Sequence, residues 1–265
     1  MARAPGTPWG LLERLRYQNH SGRVIRRHRA LHRLEFRRAS LVHPLVLVAG
    51  SYFALWAGMD LITALWAWEF AFWLPHLDLP ATLDTQTRVM FGPLVYRVSF
   101  PVIEAGLPGI GGLRASVAAC ALVMLLSFIT MRGRMLPIGY LLWGACLVQF
   151  MSTALFWLAP QAFAYSLGSH VANGLEYALV LVLFVPLLLS FSYYVFEYSL
   201  PRKMLGTLLI IGGIVLVAPY QYLLHVLLIQ SGTLLVLPLL YVLFGLLFDI
   251  GVFIALYAWV VSWEQ

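Results

Sequence analysis

Residues 31–38 read Leu-His-Arg-Leu-Glu-Phe-Arg-Arg and stop a few residues short of the first long apolar stretch. His32, Glu35, Arg37 and Arg38 therefore sit at the surface of a membrane. A plain orientation signal needs only the positive charges. A carboxylate among them can accept the paired hydrogen bonds of an incoming guanidinium, or be neutralised by its own neighbours. A second set of reactive types lies inside the apolar stretches, where an ionisable group is costly and marks a functional candidate. Asp60, His170, Glu176 and His225 all fall toward the outer ends and could converge there. Three readings stand: a metal site, since His and carboxylates suit zinc or copper; a proton or ion path; and ordinary helix-end groups meeting water and headgroups. Two histidines from different spans could also ligate haem, although no ligand spacing supports a metal. Asp249 is the most deeply placed acid and needs a partner, a wet cavity or a proton of its own. Gln149, at similar depth, is a hydrogen-bond donor within or between subunits. No Ser-His-Asp set, Gly-x-Ser-x-Gly or His-Glu-x-x-His is present. The reading is of a non-enzyme without cofactor or metal.

The elements that carry these residues are membrane helices. Of 265 residues, 62% are hydrophobic and only 11% charged, far less charge than a soluble domain shows. Apolar runs of about 20 residues match the bilayer core. Six spans are expected, at about 42–68, 113–132, 136–160, 175–198, 204–230 and 233–262, giving an all-α membrane domain over 41–265 behind a basic arm at 1–40. Ten of the 17 basic residues precede residue 40, and four more sit at Arg132/Arg134 and Arg202/Lys203. Six crossings put all three clusters on one side, with both termini cytoplasmic or in an organelle's matrix. The arm reads as an interfacial amphipathic helix on anionic lipid, with no cleavable signal. The two cysteines, Cys120 and Cys146, read as free thiols in separate spans.

The outer loops are unequal: a long first loop over 69–112, a medium second over 161–174, and a turn at Ser231-Gly232. The first is rich in Pro and Gly, and its middle, Val89 to Ile103, is apolar enough to lie on or dip into the outer leaflet, even as a re-entrant segment. No internal repeat is visible, which weakens a transporter built from inverted repeats.

This layout resembles the TatC family, the receptor core of the twin-arginine protein translocase, over the whole chain. His32-Arg33-Leu34-Glu35-Phe36-Arg37-Arg38 keeps the family's His-x-x-Glu-x-Arg frame before span one. Pro75-His76-Leu77-Asp78-Leu79-Pro80 looks like the motif opening the family's first outer loop. Leu155 to Pro160, followed by Phe163, resembles its span-three ending. Pro201-Arg202-Lys203 matches its basic turn, and Leu247-Phe248-Asp249-Ile250-Gly251 is similar to its last-span Phe-Glu-Ile-Gly, with Asp for Glu. The departures are a basic Met131-Arg132-Gly133-Arg134 turn where the family carries an acid, Ala218-Pro219-Tyr220-Gln221 in place of Thr-Pro-Pro-Asp, a loose match at Glu176, and longer spans five and six.

The resemblance implies a receptor that binds twin-arginine signal peptides of folded precursors through Glu35, with His32, Arg37 and Arg38 beside it and Glu13 or Glu197 as substitutes. Gln149, Glu176 and Asp249 would anchor single-span partner subunits, and Pro75 and Pro80 would shape the outer loop. Transport would draw on the proton-motive force, in an oligomer of a bacterial cytoplasmic or mitochondrial inner membrane, with no nucleic acid involved. Two other classes remain open: a membrane-anchor or haem-binding electron-transfer subunit of a respiratory complex, using His170 or His225, and a small ion or solute permease served by Asp249 and Asp60.

Overall fold

The computed structural model describes residues 38–90, 94–131, 133–163, 165–195 and 199–263. The chain is mostly helical, and six helical segments are long and apolar enough to cross a membrane. They are α1 (Arg38–His76), α2 (Ile110–Thr130), α3 (Leu136–Leu158), α4 (Leu167–Val195), α5 (Leu200–Gly232) and a last span broken into α6 (Leu237–Leu243) and α7 (Leu246–Ser262). This is an integral membrane protein, and its span count is the one the hydropathy implies.

Two boundaries differ from expectation in an instructive way. α1 has 39 residues, so at 1.5 Å per residue it is roughly 58 Å long. That is nearly twice the ~30 Å hydrocarbon core, so part of the helix extends past that core. α4 likewise starts at Leu167, eight residues before the expected 175.

What holds these overhangs is a β-hairpin, β1 (Thr82–Met90) paired antiparallel with β2 (Leu94–Val102), Arg88 opposite Tyr96. The middle of the first outer loop is therefore a hairpin rather than a segment lying on or dipping into the leaflet. Its apolar residues alternate: Tyr96, Val98 and Phe100 are buried while Val95 and Arg97 are exposed. Period-two burial is the signature of a strand with one covered face. That face joins Trp66, Phe70 and Leu74 of α1 in one apolar core, and Phe100 and Val102 lie against Gly168 at the head of α4. Thr85 and Ser99 pair their hydroxyls across the strands at 2.9 Å. Pro75 lies in the last turn of α1 and Pro80 in the link to β1.

α4 and α5 form the centre. About half of each apolar window is buried, 50% and 56%, against 17% for α1, α2 and the last span. Lipid-facing helices gain nothing from hydrophobicity between themselves, so close approach through small residues does the packing. Gly174 of α4 receives the ring of Tyr222, with no room for a Cβ. Gly213 of α5 faces Leu256 of α7 with a Cβ gap of 2.5 Å. α2 and α3 pair with one another, and α3 meets α6. Its contacts are polar: Gln149 donates to Ser116 (2.9 Å) and, with Ser152, to the carbonyl of Leu235 (3.3 and 3.0 Å). Cys146 lies over the Cys120 carbonyl at 3.7 Å, and both thiols are free and buried.

Gly174→Val should destabilise the protein by roughly 1–3 kcal/mol through overpacking. Thermal unfolding in detergent checks this, and Tyr222→Ala added to it should recover part of the loss.

Candidate functional site

The half of the α4–α5–last-span interface nearer the hairpin collects polar side chains. α5 carries Pro219, which has no N–H for the Val215 carbonyl one turn below. Trp66 of α1 takes that carbonyl, donating its indole N–H at 2.7 Å. The last span breaks at Phe244–Gly245, where a Cβ on Gly245 would strike the Tyr241 carbonyl. Gln221, half a turn past Pro219, donates its amide to the Phe244 carbonyl (2.5 Å) and also reaches that of Gly245 (3.5 Å). Asp249, in the first turn of α7, lies beside it. A broken span thus places two carbonyls, an amide and a carboxylate together. Irregular backbone at membrane depth of this kind is tolerated where it is buried in protein or lines a cavity.

One turn outward, His170 of α4 and His225 of α5 meet. Nε2 of His170 and Nδ1 of His225 are 3.0 Å apart, with the rings stacked at 26°. Tyr222 stands edge-on to both rings, and Tyr241 lies 6.0 Å from His170. His170, His225 and Asp249 are 4%, 1% and 2% exposed. Among the described residues, His170 Nδ1, His225 Nε2, the Tyr222 hydroxyl, Gln221 Oε1 and Asp249 Oδ2 are buried without a hydrogen-bond partner. Each such atom costs about 1–3 kcal/mol. Five in one interface point to water, a proton or a ligand that occupies it.

The expected convergence of four outer groups is thus half realised. His170 and His225 meet. Glu176 instead turns to the hairpin, where Arg88 binds it and Asn173, the latter at 3.0 Å. Asp60 stays exposed on α1. Asp249 and Gln149 are both buried within the chain, and Gln149 is hydrogen-bonded there. His32, Glu35, Arg37, Glu13 and Glu197, and the side chain of Arg38, lie outside the described residues, as does Arg132. Glu69, one residue past the expected end of the first span, is 2% exposed with Oε2 unpartnered. Gln221, Tyr222 and Glu69 were the residues sequence reasoning missed; Gln221 had a signal, an amide two residues after a mid-span proline.

The histidine pair does not suit a haem. With metal–nitrogen bonds of about 2 Å, ligands on opposite faces of one iron stand about 4 Å apart with the macrocycle between them. Here the two facing nitrogens are 3.0 Å apart and hydrogen-bond to one another, which leaves no room for an iron between them. Among the described residues no three His, Cys, Asp or Glu side chains gather as metal ligands. No family model, curated protein or solved structure matches the chain.

Two outcomes test the outer layer. A double-mutant cycle on Arg88→Gln and Glu176→Gln should give a coupling of about 1 kcal/mol or less, as for half-exposed ion pairs; a value near zero would mean that the pair does not fix the hairpin. Beneath it, burial and then the Glu176 carboxylate push Tyr96 up to about 12, with Arg88 opposing them. An unfolded tyrosine ionises near 10, so stability holds below pH 10 and falls as pH rises toward 12. Tyr96→Phe should remove that part of the alkaline loss in a thermal-shift series.

Proposed function

We propose that this protein is a small membrane permease for a proton or another small ion, working at the α4–α5–last-span interface. One observation carries the reading. Asp249 opens the second half of a broken span, buried, with one carboxylate oxygen unpartnered beside Gln221 and two interrupted-helix carbonyls. Discontinuous spans in transporters supply such groups near the transported species. Gln221 and the carbonyls orient, Asp249 carries the charge, and His170, His225 and Tyr222 line the outward approach. Below Gln221, α5 buries Ala218, Val215, Ile214, Ile211 and Ile210 before the next buried polar side chain, Thr207. That apolar stretch closes the inner half, as alternating access requires of one of its states.

A second reading, the receptor core of a twin-arginine-type translocase in a bacterial or mitochondrial membrane, is favoured by the order of motifs from His32 to Asp249. Its binding group would be Glu35, and its single-span partners would have to use surfaces other than Gln149 and Asp249, which are buried within the chain.

Flux in proteoliposomes under an imposed membrane potential tests the first reading. Asp249→Asn should reduce it to background while the protein stays folded; wild-type flux in that variant overturns it. Co-purification of single-span subunits, with precursor crosslinking lost in Glu35→Ala, would establish the second.

A further inference from the structure

We infer that His170 and His225 form a two-imidazole proton relay that connects the outer surface to Asp249, so that the species handled by the site is the proton. The inference rests on the permease reading and narrows its substrate.

The argument is one of proton counting. Each neutral imidazole has one N–H and one bare nitrogen. His170 Nε2 and His225 Nδ1 share one hydrogen bond at 3.0 Å. Whichever of them donates, the two remaining nitrogens, His170 Nδ1 and His225 Nε2, must be one acceptor and one donor. Neither of those two buried atoms has a partner at full hydrogen-bond geometry, and the Phe244 carbonyl lies within reach of His225. A hydrogen-bonded pair with an open acceptor at one end and a loosely held donor at the other can pass a proton along its length.

The step balances. With both protons on Nε2, His170 Nε2–H donates to His225 Nδ1. A proton from water binds His170 Nδ1, the Nε2 proton crosses to His225 Nδ1, and His225 releases its own Nε2 proton toward the Asp249 carboxylate, which becomes a neutral acid. One proton enters and one leaves, and both rings end neutral with their tautomers exchanged. Return of the tautomers, or passage of a proton backward, resets the pair. The Tyr222 ring stands edge-on to both imidazoles, and its unpartnered hydroxyl lies against Gly174 on the same interface.

Several other titratable groups on the packed elements have partners or places elsewhere, Lys203 on the Tyr193 carbonyl among them. Tyr177 and Tyr241 approach each other at 3.5 Å, Tyr96 lies under the hairpin, Glu176 is bound to Arg88, and Glu69 belongs to α1. None of these sits between the two rings.

The test is a rapid external pH drop on the full chain in phospholipid vesicles, followed by infrared absorption of the Asp249 carboxyl, assigned by Asp249→Asn. Glutamine keeps a hydrogen bond but cannot pass a proton. His225→Gln and His170→Gln should each slow protonation of Asp249 at least about tenfold, within the range a positioned proton-transfer group contributes, without changing its final extent. The double variant should be no slower than either single one. Wild-type rates in His225→Gln, or multiplied slowing in the double variant, would overturn the relay.

Nitrogen NMR of the unsubstituted protein should show both tautomer sets in exchange; one fixed set would also overturn it, whatever the variants' folding. If flux is Asp249-dependent while proton arrival ignores the histidines, the relay alone falls. If flux ignores Asp249, the permease reading falls first.

Discussion

A carbonyl released from a helix inside a membrane has no water to turn to, and this constraint organises the structure. Each unsatisfied group in hydrocarbon costs several kcal/mol. Several irregularities in the described helices are met by a side chain from elsewhere. Pro219 frees the Val215 carbonyl and Trp66 takes it. The break at Phe244–Gly245 frees two more and Gln221 takes them. The start of the last span offers Leu235, taken by Gln149 and Ser152. At the inner end, Lys203 donates to the Tyr193 carbonyl at 2.8 Å. These captures tie α1 to α5, α5 to the last span and α3 to α6. Helix association without a hydrophobic driving force depends on such bonds and on close glycine contacts.

Against that backbone accounting the side chains of the half nearer the hairpin stand out. Carbonyls there are covered, yet imidazole, phenol and carboxylate atoms are left bare. Five of the nine such buried atoms among the described residues gather in this one interface. Replacing His170 and His225 by apolar rings would remove the unpartnered atoms and keep the stacking. Retaining costly groups beside a broken span is the pattern expected where the stable fold yields to a transported species.

The six spans were plain in the sequence, because apolar runs of bilayer length are local signals. The sequence understated α1 and α4, since an aromatic stretch such as Trp66 to Trp73 has the same composition beyond the bilayer core as inside it. The hairpin was written in the alternation from Leu94 to Val102 and in the Gly92-Pro93 turn signal, but its apolar content masked the period of two. Of the site, the residue types were legible and their pairings were not. His170 and His225 are 55 positions apart, and nothing local says that they meet while Glu176, six residues after His170, turns to Arg88. Side-chain partnership across spans depends on helix rotation, which Gly174 and Tyr222 set by contact.

The hairpin links the two levels. It grips the overhanging ends of α1 and α4, the latter through Gly168, Asn173 and Glu176, which flank His170 on its own helix. α5 is bound from one side by Trp66 of α1 and from the other by Gln221 to the last span. The histidine rings therefore meet across two helices whose rotation and height are both fixed, α4 by the hairpin and α5 by captured carbonyls. A stacked contact between imidazoles tolerates little error, since a proton crosses only where donor and acceptor stay near hydrogen-bond distance. A first loop folded as a hairpin against both helices is what such a contact demands.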